Sequence, residues 1–135
     1  MFLSAFAMAA SDTVPSHLHM ICRAEEEQSL SDILRDFKTY TSKQLVKQVK
    51  EEPESRREWM LNQFEEACEH LANGQQYKVW QNGNQVKEIY SSSFLYEKLE
   101  YIHQNPVKDL IVEEPHEYLY SSPASADVSS VRITK

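Results

Sequence analysis

Two histidines, two positions apart on an apolar run, are the feature that most constrains the fold. His17 and His19 lie within residues 14–22, which are otherwise mainly apolar. On a β-strand successive side chains point to opposite faces, so the sequence predicts both imidazoles on one face and Leu18 and Met20 on the other. Two imidazoles side by side can hold one divalent ion. Histidines are also common at partly buried positions without any such role, so both interpretations stay open.

The segment that follows has the periodicity of an amphipathic helix. Ser29 or Ser31 can cap its start, and Asp32 occupies the position of a capping-box acid. The later apolar residues Leu45, Val46 and Val49 belong to a different stripe. The helix is therefore expected to bend or to change partner near residues 39–42, where two β-branched threonines weaken the helical preference. The apolar stripe and its polar continuation predict an inward face formed by Leu30, Ile33, Leu34, Phe37, Tyr40 and Gln44. Periodicity alone fits equally a Tyr40 that is a core aromatic with its hydroxyl at the boundary.

Basic residues are concentrated on this helix and just after it. The chain has a net charge of −7, which on average repels nucleic acid. Half of its basic side chains nevertheless lie between Arg35 and Arg57. They form either a DNA-binding surface or an ordinary solvated helix face. The candidates for DNA contact are Arg35, Lys38, Lys43 and Lys47.

The remaining chain predicts two more helices and a hairpin. An apolar stripe after Pro53 predicts a helix that ends at Gly74. Residues 77–80 and 85–90 flank Asn82-Gly83, which predicts a β-hairpin. Ser91 to Ser93 can cap a further helix, which should stop near Asn105 because Pro106 follows.

Length and composition fit one small α+β domain. The chain has 135 residues, of which 41% are hydrophobic, and no apolar run approaches the ~20 residues needed to cross a bilayer. The apolar start lacks the basic residues of a signal peptide. Cys22 and Cys68 are too few for a disulfide framework or a zinc site, so a cytoplasmic protein without a membrane partner is expected.

Several motifs together resemble the single-tyrosine HUH transposases, in particular the REP-associated tyrosine transposases. Pro15-Ser16-His17-Leu18-His19 and Leu30-Ser31-Asp32-Ile33-Leu34-Arg35-Asp36-Phe37-Lys38-Thr39-Tyr40-Thr41-Ser42-Lys43 are similar to the early blocks of that family. The later blocks are similar to Trp80-Gln81-Asn82-Gly83-Asn84, Tyr101-Ile102-His103-Gln104-Asn105-Pro106-Val107-Lys108 and Pro115-His116-Glu117-Tyr118-Leu119-Tyr120-Ser121-Ser122. The resemblance implies a partial ferredoxin-like antiparallel sheet with helices packed on it.

The resemblance also implies a chemistry. In that family the histidine pair binds Mg²⁺ or Mn²⁺, here through His17 and His19, and a helix tyrosine, here Tyr40, attacks a DNA phosphodiester. A phenol with a pKa of about 10 is a weak nucleophile, so a nearby cation must stabilise the developing charge. Gln44 stands where family members place a third metal ligand, although an ordinary boundary glutamine fits equally. A homodimer that recognises hairpins in single-stranded DNA is expected.

Two departures from the family bear on activity. The family has several dozen residues before the histidine strand, so the resemblance implies a truncated domain. We expect an irregular lead over residues 1–13, a transposase-like domain over 14–122 that lacks its N-terminal part, and a mobile tail over 123–135. The family's glycine after Asn-Pro-Val is also absent from residues 108–112, so no glycine can form a left-handed turn there. The alternative function is an inactive remnant that binds nucleic acid weakly at most.

Overall fold

A computed structural model describes residues 6–14, 17–25, 27–72 and 74–121. These residues combine helices and strands, as expected of an α+β chain. The predicted tail over residues 123–135 lies outside the described residues. The elements are β1 Phe6–Val14, β2 His17–Ala24, α1 Leu30–Glu51, α2 Arg57–Glu66, α3 Ser92–Lys108 and a 3-10 helix at Pro115–Glu117.

The two strands form an antiparallel sheet. In its register His17 lies opposite Val14 and His19 opposite Asp12, with an irregularity between Met8 and Ala10. The expectation of an irregular lead over residues 1–13 is therefore wrong for residues 6–13, which belong to β1. The physical reason is that β2 needs a partner for its backbone N–H and C=O groups, and the preceding segment supplies one.

Helix α1 begins at Leu30, as predicted, and ends at Glu51. Ser29 is its N-cap and accepts a hydrogen bond from the Asp32 N–H at 3.4 Å. The helix continues without interruption through Thr39 and Thr41, and the bend or change of partner expected there stays a prediction. Each threonine hydroxyl donates to a carbonyl one turn earlier, that of Arg35 for Thr39 and that of Phe37 for Thr41, both at 2.8 Å. These bonds accommodate the threonines within the helix.

The region after α1 departs from the predicted pattern. Helix α2 starts at Arg57 rather than at Pro53 and ends well before Gly74. The predicted hairpin is wrong, since no strand is present among the described residues 74–91. Only its turn remains, where Gly83 has a φ of 79°. Bonds from Lys38 to the Gln81 and Gly83 carbonyls, and from the Trp80 indole N–H to the Thr41 hydroxyl, hold residues 80–83 on α1.

Helix α3 is capped as predicted and ends in an unexpected way. Ser91 accepts a hydrogen bond from the Phe94 N–H at 3.2 Å. The helix continues past Asn105 to Lys108, so the predicted stop before Pro106 is wrong. Its end is a Schellman motif, in which the Ile111 N–H bonds to the Pro106 carbonyl at 2.9 Å and the Leu110 N–H bonds to the Val107 carbonyl at 3.0 Å.

The chain divides into two compact units. The transposase-like domain expected over residues 14–122 stays a prediction. The groove unit comprises Ser29–Gln85, and the histidine unit comprises Met1–Gln28 with Val86–Lys135. In the histidine unit α3 contacts both strands, and Leu95 and Leu99 pack with Ile21 and Ile89. In the groove unit α1 contacts α2. The buried apolar side chains of the groove unit are Ile33, Val49 and Cys68. None of the helices among the described residues has the length and apolar character needed to span a membrane.

Candidate functional site

A groove of about 1010 Å³ lies within the groove unit, between α1 and residues 75–84. Six cationic side chains line it, and Glu51 is the sole carboxylate among its lining residues. Two aromatic residues, Tyr77 and Trp80, and several side-chain amides complete the wall. The cationic lining residues are Arg35, Lys38, Lys43, Lys47, Lys50 and Lys78. All four residues that the sequence predicts for DNA contact are therefore on one groove.

Helical spacing explains how the cations come to share this groove. Lys43, Lys47 and Lys50 are separated by four and three residues, so they are neighbours on one side of α1. Arg35 and Lys38 are three residues apart and lie eight and five residues before Lys43. Lys78 lies on the opposite wall of the groove, among residues 75–84, so the periodicity of α1 could not predict its position. The sequence interpretation therefore missed Lys78, together with Lys50 as a lining residue.

The cations near the start of α1 are engaged by the protein itself. Arg35 pairs with both Asp32 and Asp36. The hydrogen bond with Asp36, and then the charges of Asp32 and Asp36, raise the pKa of Arg35. Lys38 donates to the carbonyl oxygens of Gln81 at 3.3 Å and Gly83 at 3.1 Å. Lys38 therefore holds the Gly83 turn on the helix.

The cations further along the groove are more available. Lys47 lies 3.9 Å from Glu51, a distance at the limit of an ion pair. Lys43 and Lys78 have no ion pair or hydrogen bond from their side chains within the part of the chain that the structure describes. An ammonium group without a protein partner keeps all three donors for an incoming phosphate. Lys43 and Lys78 are therefore the strongest candidates for phosphate contact.

The two aromatic residues differ in how firmly they are held. Trp80 donates its indole N–H to the Thr41 hydroxyl at 2.8 Å, and its ring centroid lies 6.0 Å from that of Phe37. Tyr77 has a different neighbour, because the Lys50 Nζ lies 4.3 Å from its ring centroid. Proteins that bind single-stranded nucleic acid use grooves that combine cations with aromatic rings.

The histidine pair is formed on β2 as strand alternation predicts. The rings of His17 and His19 have centroids 4.7 Å apart and are nearly perpendicular, at 87°. The Tyr101 ring from α3 approaches His19 edge-on, with centroids 5.5 Å apart. The sequence carried no signal for this contact, because it joins a strand and a helix that are far apart along the chain.

The donor set at this pair only partly fits the expected metal. No cluster of three or more His, Cys, Asp or Glu side chains suited to a metal occurs among the described residues. Two imidazoles favour ions such as Zn²⁺ or Ni²⁺, whereas Mg²⁺ and Mn²⁺ prefer oxygen ligands. The phosphate of a substrate would have to supply those oxygens.

The predicted nucleophile and third ligand lie on the other unit. Tyr40 and Gln44 are on α1 of the groove unit, and the prediction that they face inward is wrong. Tyr40 is 52% exposed and Gln44 is exposed as well. Trp80 packs against Phe37 and Thr41, so the covered face of α1 turns away from Tyr40 in this part of the helix. Their catalytic roles stay predictions.

No protein-family model matches the chain, and comparisons with curated proteins and with solved structures gave no significant match. The transposase resemblance therefore rests on the sequence motifs alone.

Proposed function

We propose that this chain binds unpaired DNA in the groove of the groove unit. The observation that carries the proposal is the lining, which has six cations against one carboxylate in a chain whose net charge is −7. Such segregation gives a local potential that attracts phosphates despite the overall charge. Lys43 and Lys78 contact the phosphates, and the side-chain amides and the exposed aromatic surface of the groove face the bases.

The lining favours a single strand over a duplex. Bases can stack on aromatic side chains only when they are unpaired and unstacked from each other. A duplex also carries the denser phosphate charge, which the acidic remainder of the chain repels more strongly. Hairpins with single-stranded loops or flanks, the substrates that the family resemblance implies, meet the same requirement.

Fluorescence anisotropy tests the proposal with a thymidine oligonucleotide of about 12 nucleotides and a duplex of equal length. Binding to the single strand should be tighter. The logarithm of the binding constant is plotted against the logarithm of the salt concentration between about 50 and 200 mM. The magnitude of its slope should fall by about 1.4 in the double variant Lys43→Gln/Lys78→Gln, because two phosphate contacts are lost. The matched control is Lys87→Gln/Lys108→Gln, which removes two lysines of the histidine unit and should leave the slope unchanged.

Two results would contradict the groove. One is a lack of binding to the single strand at low salt. The other is an equal loss of salt dependence in both double variants, because long-range charge rather than the groove would then explain binding.

As a second function we propose DNA strand cleavage by a single-tyrosine mechanism. The favouring observation is the imidazole pair, with centroids 4.7 Å apart on one strand. The proposal includes the partial ferredoxin-like sheet and the homodimer that the resemblance implies. The resemblance implies Mg²⁺ or Mn²⁺ at His17 and His19, where the ion would neutralise charge on the scissile phosphate, and it implies Gln44 as a further ligand.

In this mechanism the phenolic oxygen of Tyr40 attacks phosphorus. The bond between phosphorus and the 3′ oxygen breaks, so the leaving strand ends in a 3′-hydroxyl after taking up a proton. The other strand end stays attached as a 5′-phosphotyrosine. Because Tyr40 is exposed, its hydroxyl is open to a bound strand.

Incubation of the chain with Mn²⁺ and labelled hairpin DNA tests this second function. A covalent adduct on a denaturing gel should vanish in Tyr40→Phe and persist in the control Tyr101→Phe, since the phenolic oxygen is the attacking atom. An adduct that persists in Tyr40→Phe would contradict the assignment of the nucleophile. Groove binding without any adduct would support the non-catalytic alternative.

A further inference from the structure

We propose that the ring of Tyr77 is the base-stacking surface of the groove and that the Lys50 ammonium covers it until a base takes its place. The inference rests on the proposed binding of single-stranded DNA and names the residue that contacts the base. The observation behind it is the Lys50–Tyr77 pair, in which the ammonium nitrogen lies 4.3 Å from the ring centroid.

The contacts of Trp80 exclude it as the ring on which a base stacks. Its indole N–H is committed to Thr41 at 2.8 Å, its ring packs against Phe37, and the Lys38 Nζ lies 5.9 Å from the ring centroid. Lys38 is itself bound to the carbonyls of Gln81 and Gly83. Displacing Lys38 would release the Gly83 turn from α1, so the Trp80 side of the groove acts as structural support.

Tyr77 has the opposite character. The neighbouring backbone is fixed, because the Lys78 N–H donates to the Phe64 carbonyl at 2.9 Å. The ring is partly exposed, and Lys50 is its sole ring or cation partner among the described residues. Lys50 is exposed and has no ion pair within that part of the chain. A partly exposed ring on a fixed backbone, with a flexible lysine against it, is prepared for a flat ligand at low entropic cost.

Replacement of the Lys50 ammonium by a base on the Tyr77 ring is favourable, because both the ring and the ammonium obtain a stronger partner. A cation–π contact at an exposed site is weaker than the stacking of a nucleobase on an aromatic ring. The displaced ammonium remains on the groove wall and can turn to the phosphate of the same nucleotide. Lys50 thus changes from a ring partner to a phosphate partner when the strand binds.

An abasic oligonucleotide separates this inference from the proposed groove. It carries the same phosphates as a thymidine strand of about 12 nucleotides but offers no base to stack. The unmodified chain should bind the thymidine strand more tightly than the abasic strand. Tyr77→Leu should weaken binding of the thymidine strand by about 5- to 100-fold and leave binding of the abasic strand unchanged.

Two variants serve as matched controls, and thermal unfolding followed by circular dichroism verifies that each variant folds. Tyr77→Phe keeps the ring and should bind as the unmodified chain does. Tyr96→Leu removes an exposed tyrosine of the histidine unit and should have no effect on binding. Lys50→Gln should lower the logarithmic salt slope by about 0.7, as for one lost phosphate contact.

The outcomes are distinguishable. Equal binding of thymidine and abasic strands, with salt dependence retained, would overturn the stacking role of Tyr77 and leave the groove standing. Loss of thymidine binding in Tyr77→Phe would also overturn it, because the ring would then not be the contact. Failure to bind either strand would overturn the groove itself.

Discussion

The two compact units differ sharply in charge. The groove unit, residues 29–85, has eight basic and nine acidic side chains and a net charge of −1. The histidine unit, residues 1–28 with 86–135, has six basic and twelve acidic side chains and a net charge of −6. Nearly all of the chain's net negative charge therefore belongs to the unit that carries the imidazole pair.

This difference shows that net charge is a poor guide to partners when the charges are segregated. In the groove unit the cations collect on one wall of α1, and the carboxylates lie mainly between Glu51 and Glu69. A phosphate in the groove experiences the near cations most, because solvent screens distant charges beyond about 10 Å. The acidic histidine unit instead favours a divalent cation and disfavours bare DNA.

The largest predicted effect on stability concerns the core of the histidine unit, which a substitution can weaken while every groove residue stays unchanged. Leu99 is 6% exposed and packs with Leu95 in the histidine unit, so Leu99→Ala should lower the free energy of unfolding by about 2–4 kcal/mol. Leu45→Ala, at an exposed position of α1, should cost well under about 1 kcal/mol. Urea unfolding measures both. Equal losses would mean that the Leu95–Leu99 core does not dominate stability.

The second prediction concerns metal binding by the histidine unit. At a Mn²⁺ concentration of ten times the dissociation constant, binding to the folded state should stabilise the chain by about 1.4 kcal/mol. His17→Ala/His19→Ala should abolish this gain, whereas the control His70→Ala/His116→Ala should keep it. Thermal unfolding with and without Mn²⁺ measures the gain. If both double variants responded alike, the imidazole pair would not be the metal site.

The third tests the end of α3 in the histidine unit. Leu110 occupies the left-handed position of the Schellman motif with a φ of 57°, and its side chain is 91% exposed. Strain at such a position costs a non-glycine residue about 1 kcal/mol, and an exposed side chain gains little in return. Leu110→Gly should therefore raise the free energy of unfolding by about 0.5–1 kcal/mol. Leu110→Ala keeps the strain and should change little; an equal gain from alanine would contradict this explanation.

The sequence predicted those features that depend on neighbours within one turn or one strand. The Ser29 and Ser91 caps and the shared face of His17 and His19 follow from local stereochemistry. The absence of a glycine after Val107 was visible, and Leu110 adopts the left-handed conformation nonetheless. The surrounding hydrogen bonds of the Schellman motif impose that conformation on it.

Features that depend on distant partners could not be predicted in the same way. The pairing that makes residues 6–13 a strand and the bonds from Lys38 to the Gly83 turn join segments that periodicity treats separately. The Asn82-Gly83 signal indicated a turn correctly, but Trp80, Gln81 and Gly83 bond to α1 and no strand forms among the described residues 74–91. The groove site was predicted on its helical wall, whereas Lys78 and Tyr77 on the other wall required the tertiary structure.

The smallest effect is a pH dependence at the entrance of α2. The Glu54 carboxylate accepts hydrogen bonds from the Arg56 N–H at 2.9 Å and from its guanidinium Nε at 3.1 Å. The backbone bond first, and then the side-chain bond, lower the pKa of Glu54. Because the folded-state pKa is depressed, this stabilisation is fully present above the unfolded value of about 4.3 and is lost as the pH falls through the folded value.

Replacement of Glu54 by Gln removes the titrating group and should flatten this part of the stability profile. Urea unfolding between about pH 3 and pH 7 should show the unmodified chain losing slightly more stability on acidification than Glu54→Gln. Glu58→Gln, one turn further on in α2, is the control and should follow the unmodified chain. Because Glu54 is on the surface, solvent screening keeps the difference small. A Glu54→Gln profile parallel to that of the unmodified chain would show that the Arg56 bonds do not persist in solution.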